Sequence, residues 1–278
     1  MKLIKNNKIK NLELKILDVY HLIFKKTFYT KLIEDCDAKF YIHNLISRNF
    51  YQVAKDRDNT KIPKNFLSYE AFETQLFLVL ISKSKCFFDI GAHVGYYSIL
   101  YAKLKPNSNV YSFEILNEFC KEINYQSKLN NINNINILNV AVGDGKEKIK
   151  FQNFYSSNNL LSVSLDEFVS SYYLEPDLIK MDIEGFEAVA LNSFQTYLEK
   201  RKPTIILSLH PNFIKKISPD AKNILKFLHK IYEQIFILDS NKNNYTLKKI
   251  SHNSIIKENS TLLLINKINL KKHKLRIK

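Results

Sequence analysis

Short apolar runs, each closed by an acidic residue or a glycine, alternate along most of this chain with longer amphipathic stretches. Residues 86–90 (CFFDI), 109–113, 135–142, 177–181 and 203–209 have the length and the aromatic and β-branched content of buried strands. Residues 69–83, 96–104 and 117–130 carry helical periodicity. Ser68 is the expected cap of the first of these, with Glu70 and Glu73 near its positive end. The second stops before Pro106, and the third ends in an asparagine-rich turn. Residues 147–154 read as an added strand. Ser218, Pro219 and Asp220 open a helix running to about residue 230, and strands near 232–238 and 259–265 follow. This alternation predicts an α/β fold with a mostly parallel seven-stranded sheet and helices on both faces.

The first part of the chain differs. Leu12, Ile16, Val19, Tyr20 and Ile23 form a helical stripe over 9–26, and Ile33, Phe40, Ile46 and Phe50 repeat it less cleanly over 32–50. Residues 56–64 (DRDNTKIPK) are a polar, proline-containing break. The pattern divides the chain into a helical extension (1–65), an α/β domain (66–266) and a basic tail (267–278, KINLKKHKLRIK).

Composition changes this picture little. At 278 residues and 45% apolar content, the chain can hold one sizeable domain plus an extension. Cys36 and Cys120 fall in helical readings and Cys86 in a strand. They are odd in number and lack metal spacing, so they read as thiols in a reducing cytoplasm. The net charge of +15 fits nucleic acid, acidic glycans or an anionic membrane surface. Lys, Asn and Ile are all abundant, however, so compositional drift accounts for much of it. Each basic residue of the tail can contribute about 1 kcal/mol at an anionic membrane, so a peripheral contact there is a further expectation. Residues 1–10 are not followed by a signal-peptide core, and the apolar run 76–81 is far too short to span a bilayer.

The chemistry gathers at the strand ends. The chain has only five glycines, Gly91, Gly95, Gly143, Gly145 and Gly185, all placed in turns after strands. There they serve positive φ or close approach to a ligand. Asp89-Ile90-Gly91-Ala92-His93-Val94-Gly95 lacks the second and third glycines of a nicotinamide-binding loop. An aspartate before such a loop favours a cationic ligand, and S-adenosylmethionine, with its ammonium and sulfonium, fits. Loop N–H groups can receive its carboxylate. Glu114, at the end of the second strand, can accept both ribose hydroxyls. In residues 139–145 (NVAVGDG), small residues around Val142 allow approach to the adenine edge, and Asp144 can accept from the adenine amino group. Residues 180–187 (KMDIEGFE) are the richest cluster. Asp182 points into the cleft, and Glu184 and Glu187, three apart, can share one helix face. His210, ending the next strand, has the pKa of a base.

The segments FDIGAHVGYYS, YSFE, NVAVGD, SLDEF and DLIKMDIEGFEAVAL, in this order over about 68–211, resemble the FkbM-type S-adenosylmethionine-dependent methyltransferases. The resemblance implies a class I methyltransferase (Rossmann-like) fold and, mostly, O-methylation of sugars, glycolipids or polyketide-like products. It places Asp89, Gly91 and Gly95 at the methionine end, Glu114 at the ribose, and Asp182 and Glu184 near the transferred methyl. Ala92 and His93, in the same loop, are expected to bind the cofactor with them. Three positions depart from the family: His93 where Asn is frequent, Ile115 where Pro is frequent, and Ser208 where Glu is frequent.

The expected reaction is in-line attack of an acceptor hydroxyl on the sulfonium methyl. Positioning is the main contribution, and a base adds about 10²–10⁴ in rate. Asp182 is the first choice of base and His210 the second, with Glu184 orienting one of them. Asp182 and Glu184 suit Mg²⁺, but no third ligand is legible, so no residue is assigned to a metal. Two other readings keep the cofactor: an RNA methyltransferase, against which stands the lack of an Asn/Asp-Pro-Pro-aromatic motif or RNA-binding module, and a catalytically silent scaffold of a glycan pathway. A nicotinamide oxidoreductase ranks last. Acceptor contacts are expected from 1–65, 145–165 and the region after 211. Nothing in the pattern specifies an oligomer or a nucleic-acid partner.

Overall fold

In a computed structural model, residues 28–33, 36–40, 70–145, 149–150, 159–217, 224–241, 244–273 and 275 are described. The chain divides into two units, residues 1–68 and 69–278. In the first, β1 (Phe28–Ile33) pairs antiparallel with β2 (Cys36–Phe40), Phe28 opposite Phe40. This corrects the helical reading of 32–50 where the two overlap, and Cys36 opens a strand. Phe28, Tyr29, Thr30 and Ile33 suit a pleated surface better than a helix. The stripe over 9–26 and the break at 56–64 lie outside the described residues.

In the second unit Glu70 precedes α1 (Ala71–Ile81) with φ 45° and no side-chain cap. The expected cap, Ser68, lies outside the described residues. Then follow β3 (Cys86–Ile90), α2 (Tyr96–Leu104), β4 (Asn109–Phe113), α3 (Asn117–Leu129) and β5 (Ile135–Leu138). The strand expected over 135–142 breaks at Asn139, whose Nδ2 donates to the carbonyls of Glu114 and Ile115, each at 2.9 Å. Beyond the break, β6 (Ala141–Val142) pairs in parallel not with the main sheet but with β9 (Ser162–Val163). Of the added strand at 147–154, β7 (Ile149–Lys150) is described, paired with β8 (Asn159–Leu160).

The SLDEF segment, for which the sequence offers no chemical role, has a structural one. Ser164 caps α4 (Leu165–Ser171), accepting from the Glu167 N–H. The Asp166 carboxylate receives the N–H groups of Thr196 and Tyr197 at 2.9 and 2.8 Å, at the start of a later helix. Phe168 packs its ring edge-on against Phe113, 5.2 Å between centroids. The chain continues through β10 (Leu178–Met181), α5 (Glu187–Asn192), α6 (Gln195–Arg201), β11 (Thr204–Leu209), α7 (Pro211–Ile217) and α8 (Ile224–Ile231). The expected helix start at 218–220 lies outside the described residues. Last come β12 (Gln234–Asn241), β13 (Asn244–Lys249), β14 (Ser260–Ile265) and α9 (Lys267–Lys272). The basic tail thus opens as a helix, whose cap Asn266 accepts from the Asn269 N–H at 2.7 Å.

The main sheet has the order β13-β12-β14-β11-β10-β3-β4-β5. The five strands from β11 to β5 are parallel. β14 runs antiparallel to both β11 and β12. The seven strands expected from the sequence are β3, β4, β5, β10, β11, β12 and β14. The sheet adds an eighth, β13, paired antiparallel to β12 at the edge. After β3 the chain fills the sheet towards β5, then returns to fill it from β10 outward. The direction therefore reverses between β3 and β10, and at such a switch point a cleft opens at the carboxyl ends of the strands.

The strands beside that cleft are apolar and buried on both faces. On one face Phe87 stacks on Tyr101 at 4.9 Å; on the other Phe88 meets Phe113 at 5.2 Å. Into the first face is set a polar row, because Ser112, Asp89 and Lys180 are register partners across β4, β3 and β10. Among the described residues no helix is long and apolar enough to cross a membrane.

Candidate active site

Gly91 makes the turn at the end of β3 possible. Its φ is +81°, and a Cβ there would lie 2.0 Å from the Asp182 carbonyl oxygen. The N–H groups of Gly91 and Ala92 both donate to the Phe113 carbonyl, at 2.9 and 3.1 Å, and Gly95 N–H donates to Ala92 at 2.8 Å. His93 sits in the left-handed region with φ 50°. That conformation suits Asn best and tolerates His, which makes physical sense of the departure at this position. Its N–H donates to Glu114 Oε2 at 2.8 Å, and its ring stands edge-on to Phe119 at 4.1 Å. Burial lowers the His93 pKa to about 4, so the imidazole is neutral.

Glu114 is buried and also receives the Leu116 N–H, at 2.8 Å on Oε1. Burial raises its pKa to about 7, against the pull of those N–H groups. Asp89 lies beneath the loop rather than on its surface. It is 1% exposed, and its Oδ2 accepts the Ser98 hydroxyl at 2.6 Å. Burial lifts it to about 6, while Lys180 opposes that shift. Val142 belongs to the hydrophobic core, and Asp144 stands at an exposed turn. Of the five glycines, Gly91, Gly95, Gly145 and Gly185 have positive φ; Gly143 does not, which leaves close approach as the expectation for it.

Across the switch point, the Asp182 N–H donates to the Ile90 carbonyl at 2.9 Å, tying the end of β10 to the end of β3. Asp182 Oδ2 pairs with the buried Lys180 ammonium at 3.2 Å. That ammonium lies 4.7 Å from the centre of the Tyr97 ring, whose hydroxyl donates to Glu70 at 2.7 Å. Burial pushes Asp182 up, but Lys180, His210 and the Ser208 hydroxyl together hold it below the ordinary carboxylate value. Ser208, the third departure from the family pattern, thus serves as a hydrogen-bond donor to Asp182.

His210 is 6% exposed. Its Nδ1 lies 2.7 Å from Glu187 Oε1, and its Nε2 lies 3.7 Å from Asp182 Oδ1 and 3.6 Å from Glu184 Oε2. Burial pulls the His210 pKa down, but the Glu187 hydrogen bond and the Glu184 and Asp182 charges raise it above its ordinary value. Glu184 has φ 50° and precedes α5, so it does not share a helix face with Glu187, as the spacing suggested. The two reach His210 from different elements instead. Glu187 is fully buried; Oε1 also receives the Gly185 N–H at 3.1 Å, and Oε2 has no hydrogen-bond partner. Sequence reasoning left Glu187 and Lys180 without a role. The available signal was a glutamate opening an otherwise apolar helical run, EAVAL.

The strand order, the glycine turn after the first strand and the acids at the switch point define a class I methyltransferase fold, a class whose methyl donor is S-adenosylmethionine. Residues 159–245 match the family model of the methyltransferase FkbM domain, and this segment carries Asp182, Glu184, Glu187 and His210. Among curated proteins none matches the chain. Solved structures similar to it include a methyltransferase FkbM from Methylobacillus flagellatus, with 17% identity and TM-score 0.45, covering 65% of this chain and 43% of that one. This chain therefore spans less than half the length of that protein. Others are an O-methyltransferase from Bacillus cereus in complex with SAH (15% identity, TM-score 0.44, 81% and 91% covered) and the O-methyltransferase TomG from Streptomyces achromogenes in complex with SAM (11%, 0.42, 82% and 92%).

Proposed function

We propose that this chain transfers the methyl group of S-adenosylmethionine to a hydroxyl oxygen of a sugar, glycolipid or polysaccharide. The observation that carries the reading is the convergence of Asp182, Glu184 and His210 at the switch point, directly against the Gly91 turn. On this reading the loop 91–95 and Glu114 hold the nucleoside and methionine, and the acidic cluster receives the acceptor hydroxyl. The acceptor oxygen bonds to the methyl carbon, the carbon–sulfur bond breaks with its electron pair going to sulfur, and the hydroxyl proton passes to the cluster. Because the sulfonium is already activated, alignment supplies much of the rate.

The test is transfer of labelled methyl from S-adenosylmethionine to fractionated glycans, glycolipids and RNA, followed by mass spectrometry of the product. A gain of one methyl on a glycan hydroxyl supports the reading. Transfer to RNA alone, or tight cofactor binding with no transfer to any fraction, overturns it.

Cofactor affinity should depend on pH. Asp89 and Glu114 have folded-state pKa values raised to about 6 and about 7. The folded protein therefore holds their protons more tightly than the unfolded chain. Their contribution to stability is greatest below the unfolded values and is lost as pH rises through the folded ones. Ribose hydroxyls favour the ionised form of Glu114, and Asp89, beneath the loop, acts on the ligand through its charge alone. Calorimetric Kd for S-adenosylhomocysteine should therefore tighten roughly tenfold from about pH 5.5 to about pH 8. Glu114→Gln should flatten that dependence.

A further inference from the structure

The carboxylate oxygens of Asp182 and Glu184 and the His210 ring nitrogen lie within 4.8 Å of one another. The histidine makes this more than an acidic patch. Its ring is more than nine-tenths buried, with Nδ1 committed to Glu187 at 2.7 Å. With the proton on Nδ1, the Nε2 lone pair faces the gap between the two carboxylates. Its distances of 3.6 and 3.7 Å to their oxygens exceed hydrogen-bond length. They match the separation of two ligands that each stand about 2.2 Å from one ion at a near-tetrahedral angle. A histidine backed by a buried carboxylate is the arrangement that fixes tautomer and ring orientation in metal sites. Lys180 takes Asp182 Oδ2 and leaves Oδ1 for the gap.

We propose that Asp182, Glu184 and His210 bind a divalent metal ion, with Glu187 as the positioning residue that presents His210. Two carboxylate oxygens and one imidazole accept Mn²⁺ or Zn²⁺, and Mn²⁺ is the paramagnetic probe for the site. The Glu184 side is open, its side chain 69% exposed, so the ion keeps exchangeable positions there. The role of the ion rests on the methyl-transfer reading; the site itself does not. In that role the ion, held by Asp182, Glu184 and His210, would supply Lewis acidity to an acceptor hydroxyl placed beside it; the bonds made and broken are those of the proposed transfer.

The test is titration of the chelator-treated full chain with MnCl₂, followed by calorimetry and by the electron paramagnetic resonance of free Mn²⁺. One saturable site per chain is expected. Glu184→Gln, at an exposed position that leaves the fold intact, should weaken Mn²⁺ binding at least tenfold, and His210→Ala should abolish it. Glu187→Gln should weaken it by about 10–100-fold without touching the ion. Absence of saturable binding, or wild-type affinity in Glu184→Gln and His210→Ala, overturns the proposal. S-adenosylhomocysteine is titrated into the same samples. Cofactor binding without Mn²⁺ binding sinks the metal site alone; Mn²⁺ binding without cofactor binding sinks the methyltransferase reading and leaves the site standing.

Discussion

Replacing Asp182 by asparagine is expected, on the proposed reading, to lower kcat by about 10²–10⁴ and to leave the Kd for S-adenosylhomocysteine within a few-fold of wild type. The substitution keeps the shape of the side chain and removes its charge. The loop 91–95 and Glu114, which hold the cofactor in this reading, are untouched. The side chain has a second task, however, because the Lys180 ammonium is 4% exposed and pairs with Asp182 at 3.2 Å. Carboxylates, Asp182 first, raise the Lys180 pKa despite burial, so the lysine stays charged. Removing the partner of a buried charge costs about 3–5 kcal/mol, so the variant should also melt earlier. The double variant Lys180→Met with Asp182→Asn separates the two effects: it should recover much of the lost stability and none of the turnover. Single-turnover rates and denaturant midpoints read these outcomes, and a kcat near wild type in Asp182→Asn would remove that residue from the chemistry.

Gly91→Ala is expected to be the most destabilising single methyl addition at the site. The added Cβ would lie 2.0 Å from the Asp182 carbonyl oxygen and 2.9 Å from Ile183 Cγ2. The Asp182 N–H bond to Ile90 holds that residue close against the end of β3, so relief needs a shift of backbone. A left-handed alanine costs about 1–2 kcal/mol, and the forced shift costs about 1–3 kcal/mol more. The total of about 2–5 kcal/mol should appear in urea unfolding. Gly95→Ala meets only side-chain carbons of Ile123, the nearest at 2.8 Å, and these can move, so its cost should be smaller. Equal losses in the two variants would show that the close approach of Gly91 to Asp182 is not what makes its position special.

The strands beside the cleft were legible because burial on both faces leaves a short, nearly continuous apolar run. Residues 86–90 and 109–113 fall where expected, to the residue. The run 135–142 misled, because the Asn139 amide diverts the chain to pair with Ser162–Val163, and that partner is distant in sequence. The edge strand Asn244–Lys249 was missed since its pairing with Gln234–Asn241 leaves few positions fully buried. At the site, the place of Asp182 at the end of a buried strand could be read from the pattern, while its close approach to Gly91 came only with the structure. The meeting of Glu187 with His210 could not, because it depends on how a helix start and a strand end dock across 23 residues of chain. The pairing of Asp182 with Lys180 was hidden differently. A lysine inside a strand reads as a solvent-facing position, and only the sheet register reveals that its neighbours are Asp89 and Ile206.

His93 and Glu184 share one property: each is a non-glycine residue with φ 50°, one in the cofactor turn and one in the turn that carries the acids. Side chains held in that conformation are strained, by about 1–3 kcal/mol each, and the rest of the fold must absorb the tension. Glycine at either place would relax the backbone and firm up the fold. On the proposed reading it would also slacken the grip on the ligand, so thermal robustness and turnover would pull in opposite directions at these two turns.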